Sequence, residues 1–537
     1  MIVRQNTIIL HPKNLNRIKL RSQLMRRREF LAAASAATAG MLLSPASRAA
    51  VDTTGKPVAG GTLRVAFTSD TKTLDPTFSV NFSERQPLYL IYNTLLSINP
   101  DASIGPELAE RWEILGGGKR LVLHLRKGVV FHDGTPFDAA AVKTNIDMRL
   151  DPAVSSPLRP QLALIVDNVQ VNDPATVTLN LKSPSPALLG MLAQREGFMA
   201  SPAAMRKYGK DFGTHPVGTG PFVFKEWIPG NSLTVEKNPH YWEPGKPYLD
   251  RIVLSDTSNP IVAMQRLRTG EVDYISALSP IDIRPIEKQP GIVLDPGPAS
   301  RWYALQWQID RPPFNNPLVR QAVAHAIDRK RMVEILMNGK VPISDSIAPP
   351  GTWWFDPSVH SYPYDPAKAK ALLAQAGVTN LSVGLSTPQI MLLQQINQLV
   401  QEQLKAVGIT VRLDPIAQSD WYPRVSQGLV NFTPMRWAQR PDPDGLFPLL
   451  FGSTGAQNST KYKNPEVDRL LEVARNSADQ SERKAAYGQI EAIVTRDLPY
   501  VPLFFSLEYA AMRTNVHNHV WLPDEIPRFR NMWKSAT

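Results

Sequence analysis

Residues 125–147 read LRKGVVFHDGTPFDAAAVKTNID, and the order of elements in this stretch decides the fold class. It begins inside residues 121–126, LVLHLR, where apolar and polar side chains alternate as in a half-buried strand. A turn with Gly134 and Pro136 follows. Asp138 then predicts a helix N-cap, and apolar residues recur behind it at every fourth position, at Val142, Ile146 and Leu150. A strand, a tight turn and a capped helix in succession indicate an α/β protein.

The rest of the chain repeats these elements. Residues 61–67, 176–181 and 500–507 predict further strands, and residues 409–416 predict a strand directly after a helix at 389–407. Three other helices are predicted to begin at an Asx-Pro pair: a single helix from Pro317 to Gly339, one from Pro366 to Gly377, and one after Asn464-Pro465. A further helix is predicted over 482–496. We expect partly parallel sheets in two unlike halves.

The net charge of +11 is concentrated at the N-terminus. Nine lysines and arginines and one glutamate fall within residues 1–49, so the remainder of the chain is nearly neutral. A surface for nucleic acid is therefore not expected. The chain contains no cysteine, which excludes disulfides, thiolate metal sites and a lipid anchor on cysteine.

The basic leader has the pattern of a secretory signal peptide. Arg26, Arg27 and Arg28 precede Phe30 and a weakly apolar run over 31–43, which resembles a twin-arginine (Tat) signal. We expect cleavage after Ala49 and a periplasmic location, with residues 1–24 as an upstream extension because a start at Met25 gives a leader of ordinary length. The alternative is a basic amphipathic segment that stays in the cytoplasm.

Neither an enzyme site nor a metal site is predicted. No G-x-S-x-G or H-E-x-x-H motif occurs, and the segment GTGP at 218–221 lacks the Gly-Lys-Ser/Thr ending of a phosphate loop. His132-Asp133 is better explained as part of a turn, and His517 and His519 form an isolated pair. We expect no catalytic residues, no metal and no cofactor.

The 125–147 stretch resembles the signature of the family 5 extracellular solute-binding proteins, the large cluster C receptors of ABC importers. Matching stretches follow in the family's order at 60–76, 91–114, 216–230, 266–275, 312–333 and 364–377. The resemblance implies a periplasmic-binding-protein-like fold of two lobes with mixed sheets and an extra subdomain in the first lobe. It implies a core domain from 58–97, 198–297 and 505–537, an inserted subdomain at 98–197, and a second lobe at 298–504.

By the same resemblance, the protein captures a peptide or peptide-like solute between its lobes. It would act as a monomer and deliver the solute to ABC permease subunits in the inner membrane. Two alternatives stay open. One is a receptor for a non-peptide solute, such as an opine-like conjugate or an oligosaccharide. The other is a sensory receptor that passes its ligand to a membrane sensor.

The segment RWAQRPDPDG at 436–445 carries the binding hypothesis. In peptide-binding members, a tryptophan is followed three residues later by an aspartate that pairs with the peptide's α-amino group. Here Trp437 is followed by Arg440, which would repel an ammonium group and bind a carboxylate. The alternative is that Arg440 pairs with Asp442 or Asp444 and shapes the loop. The other candidate ligand-binding residues are Arg436, Gln439, Trp302, Tyr303, Trp353 and Trp354, and core packing is the alternative for the aromatic ones.

Overall fold

The computed structural model describes residues 55–67, 71–79, 82–299, 301–477 and 479–536. All of them belong to one compact unit. The signal peptide, its cleavage after Ala49 and the start at Met25 lie outside the described residues. Among the described helices, none has the length and apolar character needed to cross a membrane.

Seven strands form the largest sheet, in the order β12-β18-β11-β1-β10-β9-β8. Their bounds are β1 (Thr62–Phe67), β8 (Phe222–Ile228), β9 (Ser232–Lys237), β10 (Arg251–Asp256), β11 (Tyr274–Leu278), β12 (Ile292–Pro296) and β18 (Tyr509–Arg513). β1 runs parallel to both of its neighbours, and the other pairs are antiparallel. The helices of this region are α1 (Phe82–Ile91), α5 (Pro202–Tyr208) and α6 (Pro260–Thr269).

A four-stranded antiparallel sheet follows in the order β4-β5-β7-β6. Its strands are β4 (Ala109–Leu115), β5 (Arg120–Leu125), β6 (Val166–Asp173) and β7 (Thr176–Leu181), and the hairpin β2 (Leu96–Ile98) and β3 (Ile104–Pro106) precedes it. The helices here are α2 (Ala139–Leu150), α3 (Arg159–Ile165) and α4 (Ala187–Leu192). The two sheets and their helices form what we call the first lobe.

The stretch at 125–147 runs from β5 into α2 and contacts the segment that precedes β8 of the seven-stranded sheet. As predicted, Asp138 caps α2, and its side chain accepts a hydrogen bond from Ala141 N at 2.8 Å. The preceding turn packs against the Gly218–Gly220 segment, where His132 Nε2 lies 3.0 Å from the Gly220 carbonyl oxygen. Burial lowers the pKa of His132 to about 4, so this histidine is a neutral structural residue, as the turn interpretation predicted.

The second lobe is built on a three-stranded sheet, β16-β13-β17, and a parallel pair, β14-β15. The strands are β13 (Arg301–Trp307), β14 (Ser382–Pro388), β15 (Thr410–Ile416), β16 (Phe432–Ala438) and β17 (Tyr500–Ser506). The helices are α7 (Pro317–Ala326), α8 (Arg329–Met337), α9 (Pro366–Gln375), α10 (Met391–Ala406), α11 (Gln418–Ser426), α12 (Phe447–Phe451), α13 (Pro465–Asn476) and α14 (Gln480–Asp497). A last short pair, β19 (Val516–His517) and β20 (Trp533–Lys534), lies near the C-terminus.

One helix prediction is wrong. The single helix expected from Pro317 to Gly339 is two helices, α7 and α8, because Ile327 takes an extended conformation and Asp328 caps a new helix. The Asp328 side chain accepts a hydrogen bond from Arg331 N at 2.9 Å, which offers the backbone a fresh N-terminus. The caps expected at Asn316, Asp365 and Asn464 are confirmed.

The chain passes between the lobes at two neighbouring places. One is the segment from β12 to β13, and the other is the segment from β17 to β18. Gly297 N donates to Glu508 O at 2.7 Å, and Arg301 forms ion pairs with Glu508 and Glu525 at 2.6 and 3.2 Å. The domain boundaries inferred from the resemblance stay a prediction.

Candidate functional site

The register of β13 and β16 separates four of the candidate residues into two groups. Trp302 lies opposite Trp437, and Tyr303 lies opposite Arg436. Because successive side chains of a strand point to opposite faces of the sheet, the two tryptophans share one face, and Tyr303 and Arg436 share the other. A small solute on one face therefore does not touch all four side chains.

The tryptophan face is buried at both Trp302 and Trp437, and its neighbour Tyr422 is exposed. Trp302 is a core residue, since it is 2% exposed and its Nε1 donates to Ser344 Oγ at 2.8 Å. Trp437 is also buried, but among the described residues its Nε1 has no acceptor. The ring of Tyr422, which is 41% exposed, meets Trp437 edge-on at 6.3 Å. Trp437 and Tyr422 thus form an aromatic edge beside the loop that follows β16.

The other face of the sheet is packed. Tyr303 is buried and stacks on Phe504, with 5.0 Å between ring centroids. Arg436 lies exposed next to this pair. Tyr303, like Trp302, is therefore a core-packing residue.

The two aspartates that follow Arg440 have other partners. Asp442 receives both terminal nitrogens of Arg483, on α14, at 2.6 and 2.8 Å. Asp444 receives Arg475 Nε, on α13, at 3.1 Å. The pairing of Arg440 with Asp442 or Asp444, which the sequence left open, is therefore wrong, because both carboxylates are held by arginines from the neighbouring helices.

Within the described residues, no carboxylate lies at ion-pair distance from Arg440. Its side chain has exposed surface, yet it lies deep enough among protein atoms to lose part of its hydration. This loss lowers the pKa of Arg440, Arg195 and Arg85 lower it further, and Glu196 acts in the opposite direction. The guanidinium remains a cation at neutral pH.

Arg195, Glu196 and Arg85 come from the first lobe and were not predicted from the sequence. Arg195 and Glu196 pair at 3.1 Å in a single 3-10 turn just after α4. A Cβ added to Gly190 on α4 would lie 3.3 Å from Pro441 Cβ, so this helix rests against the loop of Arg440. Only a charged Arg-Glu pair between two apolar runs, in MLAQREGFMA at 191–200, marked the position in the sequence.

The remaining candidates, Gln439, Trp353 and Trp354, contact other parts of the protein near the loop of Arg440. Gln439 Nε2 donates to Ile347 O at 2.8 Å. Trp354 is 1% exposed, while Trp353 is partly exposed and lies under the Arg483 guanidinium at 5.1 Å. Because Arg483 also holds Asp442, Trp353 is linked to the Arg440 loop through one side chain.

Arg440 of the second lobe is close enough to Arg195, Glu196 and Arg85 of the first lobe for their charges to affect its pKa. No cluster of three or more histidine, aspartate or glutamate side chains that could hold a metal occurs among the described residues. The side chains brought together at Arg440 are suited to binding an anionic group.

Comparisons with known proteins agree with this architecture. The chain is 30% identical to the glutathione-binding protein GsiB of Escherichia coli K12 over 472 residues, which cover 86% of this chain and 92% of the relative. The structure matches HbpA2 from Haemophilus parasuis with a TM-score of 0.83 at 23% identity, covering 89% of this chain and 100% of that one. It also matches AgaA from A. tumefaciens R10, solved with agropinic acid, with a TM-score of 0.69 at 29% identity, covering 89% and 99%.

These matches confirm the predicted two-lobe α/β fold. The similar proteins are solute-binding proteins rather than enzymes. A sequence profile described as "Bacterial extracellular solute-binding proteins, family 5 Middle" matches residues 103–458, about two thirds of the chain. With a profile match of this extent and a relative aligned over most of its length, the chain belongs to the family 5 extracellular solute-binding proteins.

Proposed function

We propose that this protein captures a small anionic solute, either peptide-like or an amino-acid conjugate, between its two lobes and delivers it to an ABC importer. The observation that carries the proposal is Arg440, an exposed cation of the second lobe that has no carboxylate of the described residues at ion-pair distance. In this proposal Arg440 binds a carboxylate of the solute.

The chemistry of arginine decides which end of a solute Arg440 can hold. Its planar guanidinium donates two parallel hydrogen bonds to a carboxylate, and it repels the ammonium group of an ordinary peptide N-terminus. The loop is held by two ion pairs, Arg483 with Asp442 and Arg475 with Asp444, so little ordering is needed when the solute binds. Trp437 and Tyr422 supply an aromatic edge beside the charge.

The ligands named for relatives fit this chemistry. GsiB is a glutathione-binding protein, and AgaA was solved with agropinic acid; both ligands are acidic small molecules. Other similar structures hold plain peptides, among them DppA from Helicobacter pylori in complex with the peptide STSA. The charge at position 440 favours the acidic group over the plain peptides for this chain.

The mechanism is binding coupled to lobe closure. A solute that touches both lobes favours the closed state by its difference in affinity for the closed and open states, and the permease recognises the closed state. Export through the twin-arginine pathway, action in the periplasm and a monomeric state complete the proposal, and the leader that would direct export lies outside the described residues.

The test uses protein without its leader and four probes: glutathione, agropinic acid, the tetrapeptide STSA and the dipeptide Met-Leu. Native mass spectrometry of protein purified from its own host identifies any bound solute, and titration calorimetry ranks the probes. Arg440→Ala should weaken the binding of the best acidic probe roughly 10- to 100-fold, because a charged hydrogen-bonded contact is lost.

Arg331→Ala is the matched control, because Arg331 is an exposed arginine of the same lobe, paired with Glu402 at 3.0 Å on the surface. It should leave affinity unchanged. Unchanged affinity of the Arg440→Ala variant for the best probe, or tightest binding of STSA by the wild type, would contradict the proposal.

A further inference from the structure

We propose that the tip of the β2–β3 hairpin, residues 99–103 of the first lobe, is a latch. It docks on the second lobe beside Trp353 when the lobes close, and it leaves this contact when they open. The inference extends the proposed mechanism of lobe closure. It makes Ala102 and Trp353 positioning residues for solute capture, although neither needs to touch the solute.

The tip of the hairpin reaches beyond its own lobe. Asp101 O accepts a hydrogen bond from Trp353 N at 3.2 Å, which joins the backbones of the two lobes. Ala102 is 1% exposed and belongs to an apolar cluster made mostly of second-lobe residues, whereas Ile98 of the same hairpin belongs to a cluster of the first lobe. The methyl group of Ala102 therefore packs against the other lobe.

Bonds within the hairpin hold the shape of the tip. Asn99 N donates to Ser103 O at 2.9 Å, and the Asp101 carboxylate accepts from Ser103 N and Ser103 Oγ at 3.0 and 2.6 Å. They hold Ala102 at a φ of 68°, a left-handed conformation that side chains rarely adopt. Because all of these bonds lie inside the hairpin, the tip needs no partner from the second lobe to keep its shape. When the lobes separate, Ala102 becomes exposed.

Trp353 connects the docking place to the loop of Arg440. The Arg483 guanidinium lies 5.1 Å from the centre of the Trp353 ring, and both of its terminal nitrogens bind Asp442. A hairpin tip docked on Trp353 favours the position in which this ring packs against Arg483. Lobe closure and the conformation of the loop are thus coupled through one aromatic side chain.

The strength of the contact suits a reversible latch. One backbone hydrogen bond and one buried methyl group together shift an equilibrium by roughly 10- to 50-fold. This shift slows the opening of lobes that a solute has already brought together. It is too small to keep the lobes closed without a solute, because separating them costs neither lobe its own core.

The absence of cysteine allows docking to be measured by cross-linking. Pro100→Cys at the tip and Thr352→Cys beside Trp353 introduce two unique thiols. The backbone hydrogen bond of the docked tip keeps their Cα atoms within about 12 Å of each other. The rate at which a flexible bis-maleimide joins the two thiols without solute reports how often the tip is docked.

Aspartate at position 102 separates docking from folding. With the lobes apart its carboxylate lies in water, whereas docking buries it at a position that is 1% exposed. Ala102→Asp should therefore lower the cross-linking rate at least about tenfold and leave the urea midpoint of solute-free protein unchanged. Ala102→Gly should stay within about threefold of the parent rate, since glycine adopts a positive φ without strain. Ala153→Asp, the same substitution in an exposed turn of the first lobe, is the control and should change neither quantity.

Three results would overturn the latch. They are the absence of a cross-link in the parent pair, an Ala102→Asp rate equal to that of the parent, and a lowered urea midpoint in Ala102→Asp, which would make Ala102 a permanent part of the core. None of these results involves a solute, so they leave the proposed function standing. Unchanged solute affinity in Arg440→Ala would instead overturn the proposed function and leave the solute-free rates as they are.

Discussion

Replacing Arg483 with methionine should destabilise the second lobe by about 3 to 5 kcal/mol, the usual cost of removing one partner from a buried ion pair. The side chains of Arg483 and Asp442 are only 10% and 11% exposed, so the remaining carboxylate cannot recover its hydration without disturbing the loop. Arg483 also donates to Ala474 O at 3.0 Å and lies over Trp353, and methionine retains neither interaction.

The assay is urea unfolding followed by tryptophan fluorescence. Six of the eleven tryptophans lie in the second lobe, at positions 302, 307, 353, 354, 421 and 437, so about half of the fluorophores report on that lobe. With a urea dependence of about 2 to 3 kcal/mol per molar, the midpoint should fall by roughly 1 to 2 M. Solute affinity should fall as well, because the loop that positions Arg440 loses its main support.

A double variant separates the buried charge from the lost packing. Asp442→Asn keeps a side-chain oxygen to accept the hydrogen bond from Asp444 N, observed at 2.9 Å, and removes the charge. Combined with Arg483→Met, it should recover at least about 2 kcal/mol of the loss. A loss below about 1 kcal/mol for Arg483→Met alone, or a double variant no more stable than the single one, would refute the reasoning.

Two further predictions concern Glu491 of the second lobe and Gly197 of the first. Burial raises the pKa of Glu491 well above its ordinary value of 4.5, and the hydrogen bond from Ser346 opposes the shift. The stability of the parent protein should therefore fall as pH rises above about 4.5. Glu491→Gln should remove this fall when thermal unfolding is compared at pH 5 and pH 9. In Gly197→Ala the new Cβ would lie 1.8 Å from the Leu192 carbonyl oxygen, so unfolding free energy should drop by more than about 2 kcal/mol; an unchanged urea midpoint would show that the turn of Arg195 can relax.

The sequence predicted local structure where a residue type has one common role in its local context, such as an aspartate that caps a helix. Asp138 before an apolar repeat indicated a cap and a helix, and α2 begins where it should. The prediction failed at Asp328, because an aspartate within a continuous apolar repeat can either face solvent or start a new helix, and the repeat does not distinguish these outcomes. Only the geometry of the neighbouring Ile327 decides for a new helix.

The candidate site was predicted in part for a similar reason. Trp437 and Arg440 are close in sequence, so their spacing could be read directly. Arg85 and Arg195 lie hundreds of residues away from Arg440, and their approach depends on how the two lobes meet. The partners of Asp442 and Asp444 could not be predicted either, because Arg440 lies next to both aspartates in the sequence and suggests a local ion pair. In the structure Arg483 and Arg475, from two helices far along the chain, pair with Asp442 and Asp444 instead.

The two ion pairs of this loop do not involve the charge at position 440. Arg475 and Arg483 neutralise Asp444 and Asp442, so the loop holds its shape without help from Arg440. In the peptide-binding members, the resemblance implies an aspartate at this position that receives an ammonium group. In the proposed function, the residues that support the loop are separate from Arg440, the residue that meets the solute, so exchanging aspartate for arginine changes the charge that is recognised and leaves the scaffold intact.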